Sequence, residues 1–151
     1  MHILFSSINN LTHTTMKFEM KNMAAFVAAT LWTDGVYDTE EKAAVAEIAK
    51  RYEFEEHAFI ACVQNTFDEM NNIDASDMDD YLDKMAEGIS GEQEAYAIYD
   101  AILQTMLIDK VFSVDEYGNL LAFAQILDLD LAKAMLIVTD LVQKNNVELK
   151  L

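Results

Sequence analysis

Two short acidic segments hold the residues best suited to chemistry. The first reads Thr33-Asp34-Gly35-Val36-Tyr37-Asp38-Thr39-Glu40-Glu41. The second reads Ile108-Asp109-Lys110-Val111-Phe112-Ser113-Val114-Asp115-Glu116. Each has an Asp, a Val two residues later and a Glu seven residues after the Asp. Asp34, Asp38 and Glu41 in the first segment, and Asp109 and Glu116 in the second, offer the hard oxygen donors that Ca²⁺ or Mg²⁺ prefers. The spacing is not that of an EF-hand, which places acids at alternate positions and a Glu at its twelfth. In the second segment Ser113 stands where the first has Asp38, and Lys110 adds a positive charge.

The same residues have a structural use. Asp38 and Ser113 are good helix N-caps, and Glu41 and Glu116 follow three residues later, which is the pattern of a capping box. Capping accounts for most of the pattern, and a cation site is the alternative. Other chemistry is sparse. His2, His13 and His57 lie far apart, with no HExxH pattern or Cys/His cluster. Cys62 sits in an apolar stretch without a neighbouring base and reads as a core residue. No Gly-x-Ser-x-Gly elbow, Walker loop or dinucleotide fingerprint occurs. We therefore expect a protein that is not an enzyme. The catalytic alternative, a hydrolase with a carboxylate pair, requires a deep pocket holding two acids.

The elements that must position these segments are helical. The chain has 151 residues, no proline and four glycines, the composition of helices rather than of a sandwich or barrel. Met20, Met23, Val27 and Leu31 fall at helical spacing in a helix expected over Met16 to Thr33. A second helix follows Asp38 with Val45, Ile48, Ala49 and Tyr52 on one face. A third carries Phe59, Val63, Phe67 and Met70. Asp68 to Glu94 holds ten carboxylates and one lysine, Lys84. Within it a short helix with Met78, Leu82 and Met85 is expected, capped by Asp74 or Ser76. Gly88 to Gly91 reads as a break. Helices are then expected over Glu92 to Ile108, up to Leu127, and from about Asp130 to Val147, with Asp109 to Ser113 as a loop.

The formal charge is −17, from 27 acidic and 10 basic residues. That balance argues against nucleic acid and against an anionic membrane surface, both of which are held through Lys and Arg. It fits a basic partner or a cation. No apolar run reaches the roughly 18 residues of a membrane span. The single cysteine fits a reducing compartment, and a cytoplasmic location is expected. Residues 1–15 lack the basic start and apolar run of a secretory signal and read as an N-terminal extension to a domain over 16–151.

An ungapped offset of 75 residues superimposes the two parts of the chain. Asp34 falls on Asp109, Val36 on Val111, Glu41 on Glu116, Ala49 on Ala124 and Val63 on Val138. The face Val45, Ile48, Ala49, Tyr52 falls on Leu120, Phe123, Ala124, Leu127. The expected fold is all-α: two pseudo-symmetric three-helix halves, about 20–70 and 95–145, packed face to face and joined by the acidic connector 71–94.

Ala28-Ala29-Thr30-Leu31-Trp32-Thr33-Asp34-Gly35, then Glu41 and Ile48-Ala49, resembles the Ala-Asp-Gly…Glu…Leu-Ala pattern of the tellurite-resistance TerB family and TerB-like domains. Leu107 to Leu129 resembles that family's second copy, and the likeness covers roughly Met16 to Gln143. Thr33 departs from the usual Ala before Asp34, and Lys110 replaces the second Gly. The resemblance implies a helical domain of two related halves in an intracellular bacterial or phage protein. It further implies a link to stress responses and membrane-associated complexes, and metal binding by corner acids: here Asp34, Asp38 and Glu41, with Asp109 and Glu116. The function expected from residues and resemblance together is a non-catalytic protein-interaction module with acidic corners. A metal-binding or metal-sensing protein is the alternative.

Overall fold

The computed structural model describes residues 18–34, 37–108 and 111–150, the side chain of Asp34 aside. The expected extension over 1–15 lies outside these residues, as do Gly35, Val36, Asp109 and Lys110. The fold is mostly helical. In chain order it runs α1 (Met20–Asp34), α2 (Thr39–Arg51), α3 (Glu56–Met70), a 3₁₀ turn (Ala75–Asp77), α4 (Met78–Glu87), α5 (Glu92–Met106), β1 (Val111–Ser113), α6 (Val114–Ile126), α7 (Leu131–Lys144) and β2 (Glu148–Lys150).

α1 and α5 are the central helices. Residues Met23 to Ala29 of α1 are buried in an unbroken run, and so are Ile98, Tyr99, Ala101, Ile102 and Leu103 of α5. A helix hydrophobic on all sides is one that packs on all sides. α1 lies against both α3 and α5. Its Ala24, Ala25, Ala28 and Ala29 are short enough to let a neighbouring backbone come close. α5 has longer side chains at the matching positions, such as Tyr99 and Leu103, and its backbone does not approach α7 as α1 approaches α3. Tyr99 spans that wider gap and donates its hydroxyl to the Ala134 carbonyl of α7 at 3.2 Å. One continuous core takes residues from every helix, and Phe26 of α1 meets Phe123 of α6 edge-on, with ring centroids 6.3 Å apart.

The helix ends follow from local chemistry. α2 closes in a Schellman motif: the Glu53 N–H donates to Lys50 and the Phe54 N–H to Ala49. α6 closes the same way, Asp128 donating to Gln125 and Leu129 to Ala124. Glu53 and Asp128 take the left-handed backbone this motif needs, at φ 61° and 56°. No proline and few glycines are available for these stops, so polar residues bear the strain.

The structure departs from the sequence expectations in four places. Phe18 and Glu19, expected inside the first helix, precede α1, which begins at Met20. Neither Asp74 nor Ser76 caps α4; a 3₁₀ turn precedes it, and Asp77 takes the N-cap position without a side-chain hydrogen bond. Residues 111–113, expected as loop, form β1, which pairs in parallel with β2 in the register Val111 to Glu148 and Ser113 to Lys150. The last helix stops at Lys144 rather than near Val147, because Asn146 turns left-handed at φ 51° and redirects the chain into β2. Three-residue strands carry too little periodicity to be seen in sequence.

Candidate functional site

The corner between α1 and α2 is held by a complete capping box. Asp38 accepts from the Glu40 and Glu41 N–H groups at 3.0 and 3.2 Å, and Glu41 accepts from the Asp38 N–H at 3.3 Å. The corner before α6 repeats it: Ser113 Oγ accepts from the Glu116 N–H at 3.2 Å, and Glu116 accepts from the Ser113 N–H at 3.1 Å. Each box answers backbone donors that the first helical turn leaves free. Replacing Asp38 or Ser113 with Ala is expected to destabilise the fold by about 1 kcal/mol in each case. Urea titration checks this, and no shift in midpoint for either variant would mean that the boxes are incidental.

These two corners share one cleft. A cavity of about 330 Å³ is lined by Glu40 and Glu41 from α2 and by Asp115 and Glu116 from α6, with Thr33, Thr105 and Asn119 among its other walls. Glu40 and Asp115 were not among the candidate residues from sequence. They are themselves 75 positions apart, so the offset that aligned the corners could have found them. Among the predicted site residues, Asp38, Glu41 and Glu116 are described, each engaged in its capping box. The side chain of Asp34 and all of Asp109 lie outside the described residues. Among the described residues no group of three or more His, Cys, Asp or Glu stands close enough to hold a metal ion.

The aromatic residues at the corners divide in role. Phe112 is 1% exposed and meets Tyr117 edge-on, so it pads the junction. Tyr37 is half-buried, packs at 5.8 Å on Phe67, and carries the Lys42 ammonium 5.6 Å from its ring centre. Burial first and the Glu41 charge second push its hydroxyl pKa up.

Two polar clusters lie away from the cleft. At the end of α2, Asp100 of α5 accepts from the Tyr52 hydroxyl and pairs with Arg51 at 3.0 Å. Burial, reinforced by the Asp100 carboxylate, holds Tyr52 protonated well above its ordinary range. The other cluster centres on Glu94, 2% exposed and, among the described residues, the one carboxylate so deeply buried. It accepts from the Glu19 N–H at 2.8 Å and the Ser90 N–H at 2.9 Å, and Asn22 reaches it at 3.4 Å. Asn22 also donates to the Gly88 carbonyl at 3.0 Å. The start of α1, which has no acid in its own first turn, thus takes its negative partner from α5.

Comparison with family models, with curated proteins and with solved structures finds no match for this chain. No helix among the described residues is long and apolar enough to cross a membrane.

Proposed function

We propose that this protein is a non-catalytic TerB-like interaction module that receives a basic side chain of a protein partner in the cleft between its two capped corners. The observation that carries the reading is the meeting of Glu40, Glu41, Asp115 and Glu116, from two separate corners, on one polar cavity. The TerB-like part of the reading draws support from the recurrence of backbone detail at one spacing. Capping boxes begin at Asp38 and Ser113. Left-handed residues follow at Glu53 and Asp128. Thr30 and Thr105 each return a hydroxyl to the carbonyl four residues back. All these pairs are 75 residues apart, as expected of two copies of one helix–corner–helix unit over about 20–70 and 95–145. A role in stress response within a larger complex belongs to the same reading.

A divalent cation is the second reading. It rests on the corner acids Asp34, Asp38, Glu41, Asp109 and Glu116 as the sequence presents them. What favours the basic side chain is that Glu41 and Glu116 already spend oxygens on backbone N–H groups. A guanidinium or ammonium pairs with a single carboxylate such as Glu40 or Asp115 at ordinary ion-pair distances, whereas Ca²⁺ needs six to eight short oxygen contacts.

Calorimetry with a lysine- and arginine-rich peptide at low and high salt tests the proposal. Binding is expected at low salt and is expected to weaken as salt screens it. The double variant Glu40→Gln, Asp115→Asn is expected to weaken it on the order of tenfold. The control Asp79→Asn, Asp83→Asn, which removes the same charge from α4, is expected to act less. Equal losses in both variants would reduce the attraction to net charge and overturn the cleft as the site. Heat on adding Ca²⁺, Mg²⁺, Mn²⁺ or Zn²⁺, lost in the cleft variant, would establish the cation reading instead.

A further inference from the structure

We draw no further inference here: the strongest candidate, the open groove beside the first turn of α5 lined by Phe18, Tyr52, Tyr96 and Lys133, is a largely apolar face, and nothing in the structure shows what covers it.

Discussion

Phe26→Ala is expected to destabilise the protein by about 3–5 kcal/mol. Its ring is fully buried in α1 and meets Phe123 of α6 edge-on, so truncation removes both apolar burial and an aromatic contact between distant parts of the chain. α1 is enclosed by α3, α4 and α5, and such a site relaxes little around a void. Against a protein of this length the loss corresponds to a fall in melting temperature of roughly 6–20 °C. Phe26→Leu retains most of the volume and is expected to cost about 1–1.5 kcal/mol. Chemical denaturation of the two variants measures the difference. If the alanine variant were no less stable than the leucine variant, the core would not be closed around this position.

Glu94→Ala is expected to cost about 2–4 kcal/mol, from a residue that touches no proposed ligand. Its carboxylate gathers the Glu19 and Ser90 backbone N–H groups, and Asn22 bridges it to Gly88. Removing the acceptor leaves those donors in partly buried surroundings, where an unmade bond costs more than a made one contributes. Glu94→Gln keeps one oxygen and is expected to lose about half as much. A readout confined to the cluster is amide exchange at Glu19 and Ser90, which should quicken in both variants. Unchanged exchange at these amides would show that Glu94 does not anchor the start of α1.

The helices were legible because their signals are local. The apolar spacing in 45–52 and 120–127 named faces whose Val45, Ile48, Ala49, Leu120, Phe123 and Ala124 are buried. The capping boxes at Asp38 and Ser113 were legible for the same reason, since a box spans four consecutive residues. The cleft was only half legible. Glu41 and Glu116 stood out as box partners, but that Glu40 and Asp115 line one cavity with them depends on the fold bringing two distant segments together, which no single segment encodes. Glu94 was hidden altogether: within Asp68 to Glu94 it is one acid among ten, and one of its hydrogen-bond donors, the Glu19 N–H, lies 75 positions away. The β1–β2 pairing was hidden for a related reason, because three residues of strand have no pattern apart from their partner.

The unequal spacing around the two central helices has a consequence for breathing motions. Where alanines seat α3 tightly on α1, opening requires breaking many close contacts at once, so excursions there are rare and draw on nearly the whole folding free energy. α7 rests on α5 through longer side chains, the Tyr99 hydrogen bond and an exposed Lys133–Glu92 ion pair, and is expected to lift away at smaller expense. Between these two helices, α7 is therefore expected to open before α3 and to admit a protease or a solvent deuteron sooner.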